Sequence, residues 1–202
     1  PATRSSLRRE GVPVNDIRPS VRQLAQYSPR GVEEAWYARW EAAGLMQPRP
    51  SASGERFVIT LPPPNVTGIL HMGHCLGNSI QDTLIRWSRM RGRETLWVPG
   101  TDHASIATEQ VVSRQMRDEG LDKRTAGREA FLERAWAWKE RTHGRITQQL
   151  RRLGCSLDWS REAFTMDAAR NRAVTHAFVE LQRKGLIYRD LYLVNWCPQC
   201  LT

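Results

Sequence analysis

The stretch that most constrains this chain runs from Leu61 to His74: Leu-Pro-Pro-Pro-Asn-Val-Thr-Gly-Ile-Leu-His-Met-Gly-His. Just upstream, the apolar run Phe57 to Leu61 reads as a short buried strand. Pro62, Pro63 and Pro64 cannot donate to a sheet ladder, and their fixed φ stiffens the exit from that strand. Beyond Gly68, residues Leu76, Ile80, Leu84, Trp87 and Met90 recur at near-helical spacing, which predicts a helix over 74–91. Strand, rigid loop and helix N-terminus in that order make a phosphate-binding geometry. The first N–H groups of the helix and the positive end of its dipole face whatever sits at the strand's C-terminal edge. His71 and His74 share one face of that first turn. The local field keeps an imidazole neutral there, and a neutral ring still donates a hydrogen bond to a phosphate oxygen. Gly73 lies between them without a Cβ, which lets a flat ligand rest on the backbone.

Arg91-Gly92-Arg93 turns the chain, and Thr95 to Val98 reads as a second strand. Strand, helix and strand form a β-α-β unit, parallel and right-handed, so the expected class is α/β. The second strand ends in Pro99-Gly100-Thr101-Asp102-His103-Ala104. Both unusual loops then lie on one rim of one sheet, the rim where doubly wound folds bind nucleotides. On its own, Asp102 reads as a cap for the following helix or as a counter-charge for a bound cation. His103 is a pocket residue or a cap. His71 and His74 also admit a metal site completed by Cys75 or His103, although Gly73 and the proline loop then have no role.

His71-Met72-Gly73-His74 resembles the "HIGH" element of the class I aminoacyl-tRNA synthetases. The longer string from Pro62 to His74 is similar to the valine-specific branch of that family, as is Pro99 to Ala104 followed by Ile106-Ala107-Thr108. Ser105 and Glu109 depart from the Gly and Gln of that pattern. The resemblance continues through Leu153 to Glu162 and Leu193 to Cys200, and covers the chain from about Tyr27 onward. It implies a partial Rossmann-like (HUP-type) parallel sheet with flanking helices, the N-terminal half of a class I catalytic domain, over residues 29–196. It implies ATP-dependent activation of valine and transfer to tRNA(Val), with ATP as substrate and Mg2+ on its phosphates. His71 and His74 take the catalytic role toward phosphate charge. His71, Gly73 and His74 bind ATP, with Gly73 as the adenine platform. Pro63, Asn65 and Asp102 bind the amino acid, Asp102 through its α-ammonium. Family members are several times longer, so an N-terminal fragment is expected, weakly active or inactive alone and ending near the start of an editing insertion. The full-length protein is expected to be a cytoplasmic monomer. The alternatives are an isoleucine or leucine sibling and a non-catalytic basic module that binds tRNA.

Charge and cysteines agree with these partners. The 202 residues carry a formal net charge of +9, which favours an anionic partner, nucleic acid first. The four cysteines are scattered at Cys75, Cys155, Cys197 and Cys200, unlike a secreted disulfide scaffold, so a reducing compartment is expected. No apolar run reaches membrane-spanning length. Cys197-x-x-Cys200 has half of a zinc-ribbon spacing. Residues 197–202 are therefore expected to begin a zinc-ribbon or editing region whose Zn2+ belongs to the longer protein.

The remaining chain reads as helices around this unit. Residues 1–28 show no periodicity and are expected to be a flexible extension. Pro29 to Ala43 predicts a helix that packs a Val32, Trp36 and Trp40 stripe on the domain, followed by a Pro/Ser/Gly linker over Gln47 to Glu55. Arg128 to Leu153 predicts a long helix with Phe131, Ala135, Trp138, Ile146, Leu150 and Leu153 inward. Its Arg141, Arg145, Arg151 and Arg152 read as a solvated face, with tRNA-backbone contact the alternative. Asp167 to Lys184 predicts a helix with a buried Val174, Phe178 and Leu181 stripe, closed by Gly185. Leu186 to Trp196 reads as an extended hairpin.

Overall fold

A computed structural model describes residues 29–50 and 54–198. The extension expected at 1–28, the middle of the Gln47 to Glu55 linker and Cys200 lie outside the described residues. The elements are α1 (Pro29–Ala42), β1 (Arg56–Thr60), α2 (Met72–Met90), β2 (Glu94–Val98), β3 (Gly100–Thr101), α3 (Ser105–Asp118), α4 (Lys123–Arg152), a 3-10 turn (Trp159–Arg161), β4 (Ala163–Phe164) and α5 (Ala168–Arg183).

The expected β-α-β unit is present. β1 and β2 pair in parallel with Val58 opposite Leu96, and α2 connects them. β4 pairs in parallel with β3, just past the end of β2. The ladder is filled out by Asp158 N–H to Trp97 O at 3.0 Å and Ala163 N–H to Pro99 O at 3.3 Å. The β2–β3 run is thus central, with β1 on one side and residues 158–165 on the other. The core under it comprises Leu61, Val66, Ile85, Trp97, Ile146, Leu150, Cys155, Leu157 and Phe164.

β1 is half-exposed rather than buried. Phe57 and Ile59 pack on the core, but Val58 on the opposite face is 57% exposed. The apolar run satisfies one covered face, and nothing among the described residues covers the other. The same holds for α2, whose apolar positions Leu76, Ile80, Leu84, Trp87 and Met90 are all exposed. Its buried positions are Asn78, Ile85 and Ser88. The α5 stripe of Val174, Phe178 and Leu181 is exposed as well, and α5 has no buried residue. Leu153, the C-cap residue of α4, is exposed as well. Leu186 to Trp196 carries no strand and so is not a hairpin.

α1 docks through a residue outside its expected stripe. Tyr37, 5% exposed, donates its hydroxyl proton to Cys155 O at 2.7 Å and accepts from Trp159 Nε1 at 2.7 Å. Trp36 faces solvent, while Trp40 is half-buried with the Arg86 guanidinium over its ring. Burial pushes the Tyr37 phenol well above its ordinary range and the Cys155 thiol up to about 12, so both stay protonated and inert. Arg141, Arg145 and Arg152 face solvent. Arg151 instead pairs with Glu41 and lies over the Trp159 ring, tying α4 to α1.

Candidate active site

Parallel pairing puts the exits of β1 and β2 on one rim. Leu61 N–H still bonds Val98 O at 2.9 Å, and then Pro62, Pro63 and Pro64 remove the donors that would extend the ladder. Pairing resumes beyond them. Asp102 N–H donates to Pro64 O at 2.9 Å, Val66 N–H donates to Asp102 O at 2.9 Å, and Asn65 and Asp102 form an isolated parallel bridge. Gly100 permits the close approach on the other side. A Cβ there would lie 3.0 Å from Ala163 O and 4.0 Å from Pro63 Cβ.

The Asp102 side chain is half-exposed and held at both oxygens. Oδ1 accepts the Thr165 hydroxyl proton at 3.0 Å, and Oδ2 accepts Ala104 N–H at 3.1 Å. The second contact is a turn contact rather than a helix cap. The residue at the cap position of α3 is Ala104, at φ 51°, with no side-chain bond. Ser105 follows at φ 38°, so a non-glycine residue occupies strained backbone at the position where the family pattern has Gly.

His71 and His74 come together at the start of α2, which begins at Met72. Their ring centroids are 4.0 Å apart. His71 caps the helix: its Nδ1 accepts Gly73 N–H at 3.1 Å, while His74 Nδ1 accepts His71 N–H at 3.2 Å. An Nδ1 that accepts carries no proton, so in each neutral ring the proton sits on Nε2. The two rings therefore use Nδ1 to organise the turn and keep an Nε2–H donor each. This changes the expected phosphate geometry, since Gly73 N–H is committed to the His71 ring. Burial, then the neighbouring His71 charge, lowers the His74 pKa below its ordinary value. Gly73 has a second reason to be glycine: a Cβ would lie 2.9 Å from His71 Cε1.

α4 fixes this rim from below. Trp138 Nε1 donates to Val66 O at 2.7 Å, and Gln149 Oε1 accepts Leu70 N–H at 3.0 Å. His143 lies 3.0 Å from the Thr101 hydroxyl through Nδ1 and 3.2 Å from Glu162 through Nε2. Thr165, Gln149 and His143 escaped the sequence reading. Each acts across more than 40 residues of chain and has no local pattern.

A cavity of about 880 Å3 opens beside the acid, lined by Val66, His103, Ser105, Phe131, Trp136 and Met166 among others. It does not include His71, His74 or Asp102. The structure thus joins Asn65 to Asp102 and His71 to His74 on one rim, and places His103 on the wall of the adjoining groove. Glu109, the second departure from the family pattern, also lines the groove and is paired with Lys123.

Among the described residues no three His, Cys, Asp or Glu side chains cluster as metal ligands. Nδ1 of His71 and of His74 is taken by a backbone donor, which leaves only Nε2 of each ring open. Cys197 is exposed, and its expected partner Cys200 lies outside the described residues.

The family model described as tRNA synthetases class I (I, L, M and V) matches residues 35–202. The chain belongs to this class I tRNA synthetase family. It is 54% identical over 182 residues to the valine–tRNA ligase of Geobacter sulfurreducens, covering 90% of this chain and 20% of that protein. It is 56% identical over 178 residues to the valine–tRNA ligase of Gloeobacter violaceus, covering 88% and 20%. The chain spans about a fifth of the length of these curated relatives. Among solved structures it resembles the LeuRS of Agrobacterium radiobacter in a ternary complex with tRNA and LeuAMS. The TM-score is 0.72 at 27% identity, over 87% of this chain and 21% of that one. The synthetase fold has the mixed architecture found here, with parallel strands and flanking helices. No helix among the described residues is long and apolar enough to cross a membrane.

Proposed function

We propose that this chain supplies the ATP and amino-acid half-sites of a valine–tRNA ligase. The observation that carries the reading is the Asn65–Asp102 bridge. It joins the proline loop to the acid on the rim from which α2 begins with its histidine pair. Identity of 54% and 56% to valine–tRNA ligases, against 27% to the LeuRS, favours valine over the sibling amino acids.

In this reading Asp102 holds the α-ammonium of valine by charge-assisted hydrogen bonds, with Pro63 and Asn65 beside it. The valine carboxylate attacks the α-phosphorus of ATP, and pyrophosphate leaves. A ribose hydroxyl at the end of tRNA(Val) then attacks the acyl carbon, and AMP leaves. No enzyme nucleophile takes part. The Nε2–H donors of His71 and His74 stabilise charge on the phosphate oxygens, and adenine rests at Gly73. Mg2+, if it accompanies ATP, would supply neutralisation of the phosphate charge. Residues 29–196 form the N-terminal part of the catalytic domain, 1–28 an extension to it, and 197–202 the start of the next region.

Titration calorimetry with the sulfamoyl analogue of valyl-adenylate tests the reading. The valyl analogue should bind, and the isoleucyl and leucyl analogues about tenfold or more weakly. Tighter isoleucyl or leucyl binding would move the chain to a sibling enzyme. Failure of all three analogues, with salt-sensitive tRNA binding that survives His74→Ala, would make it a basic RNA-binding module instead.

A further inference from the structure

The Thr165 hydroxyl is hydrogen-bonded to capacity. A hydroxyl has one proton to donate and two lone pairs to accept with. Its proton goes to Asp102 Oδ1 at 3.0 Å, because an ionised carboxylate cannot donate. One lone pair accepts His103 N–H at 2.9 Å. The remaining neighbour is His103 Nδ1 at 2.7 Å, and only a donor fits there. His103 Nδ1 therefore carries a proton. In the neutral ring Nε2 is left bare, the reverse of His71 and His74. His103 lines the groove beside Asp102, so its acceptor nitrogen is the atom it has available there.

We propose that Thr165 is the positioning residue of the amino-acid site. It clamps the Asp102 carboxylate and, by the same hydroxyl, fixes His103 in the Nδ1–H form. His103 then presents an acceptor to the groove, which takes a ligand group bearing an N–H or O–H donor. The functional part of this inference rests on the reading of Asp102 as the ammonium-binding acid; the clamp itself does not. Thr165 sits two residues after the start of β4, and its own N–H bonds Thr101 O at 3.2 Å. β4 therefore delivers the hydroxyl to the acid while its backbone pairs with the residue just before it.

Long-range 1H–15N correlation of histidine-labelled chain, recorded well above the ordinary imidazole pKa of about 6.5, reads the tautomer directly. The expected spectrum shows His103 protonated at Nδ1 and bare at Nε2. Thr165→Ser should preserve it, and Thr165→Val should release the ring to the other tautomer, because the other neighbour of Nδ1, Asp102 Oδ1 at 3.5 Å, is too far to hold the proton by itself. A wild-type His103 protonated at Nε2 overturns the clamp, whether or not either variant folds; so does a folded Thr165→Val that keeps the Nδ1 proton. The valyl-adenylate analogue supplies the second arm. Its affinity should fall about tenfold in Thr165→Val and stay near wild type in Thr165→Ser. Equal affinity in all three overturns the positioning role. The predicted tautomer with no analogue binding in wild type leaves the clamp standing and refutes the ligase reading instead.

Discussion

Replacing Gly73 by alanine separates the folding role of the His71–Gly73–His74 turn from its ligand role. The new Cβ would lie 2.9 Å from His71 Cε1 and 3.1 Å from Nδ1, inside van der Waals contact, so the imidazole must swing away. Swinging away breaks the 3.1 Å bond from Gly73 N–H to Nδ1. Loss of an N-cap bond costs about 0.5–2 kcal/mol. Alanine in place of glycine in a helix returns about 1 kcal/mol. The two nearly cancel, and for a chain of this size Tm should move by no more than about 4 °C. Ligand affinity has no such compensation. In the proposed complex the displaced ring would take its Nε2–H donor off the phosphate or its mimic, and a hydrogen bond to a charged group is worth about 1.5–3 kcal/mol, or roughly ten- to a hundredfold in Kd. Gly77→Ala is the control: it lies in the same helix and nothing is within 4 Å of its added Cβ. It should stabilise by about 1 kcal/mol and leave affinity unchanged. Thermal melts and calorimetry with the valyl-adenylate analogue read both quantities. Wild-type affinity in a folded Gly73→Ala protein would refute the role given to His71.

Two further outcomes follow from the same geometry. Ser105→Gly should raise the urea midpoint, because removing Cβ at φ 38° relieves about 1–2 kcal/mol of left-handed strain and gives back only about 0.5–1 kcal/mol in chain entropy; a lower midpoint would show the strain is not there. The His74 pKa is lowered in the folded chain from its ordinary 6.5, so its contribution to stability is complete above pH 6.5 and is lost as pH falls through the lower folded value. Urea midpoints between about pH 5 and 8 should show this slope in wild type and lose part of it in His74→Gln; identical slopes would sink the assignment.

Local chemistry made the site's outline legible. Three successive prolines, a helix of regular apolar spacing and a second apolar run are enough to imply β-α-β and a shared rim. Parallel pairing then brings Asn65 and Asp102 together. Burial was less legible. The apolar spacing of α2 and α5 correctly marks helices, but spacing cannot say whether a neighbour exists to cover the stripe, and both stripes are open. In α1 the aromatic that docks is Tyr37, since its hydroxyl finds Cys155 O and Trp159, partners more than a hundred residues on.

Residue order alone determined which groups could act: two imidazoles around a glycine at a helix start, and a carboxylate at a strand end. Their helix and strand are set by interactions within a few residues, and such interactions are written in the local pattern. The protonation and aim of those groups were decided only in three dimensions. Thr165 reaches Asp102 and His103 across more than 60 residues, and whether a ring nitrogen gives or takes a proton depends on the partner that folding puts beside it.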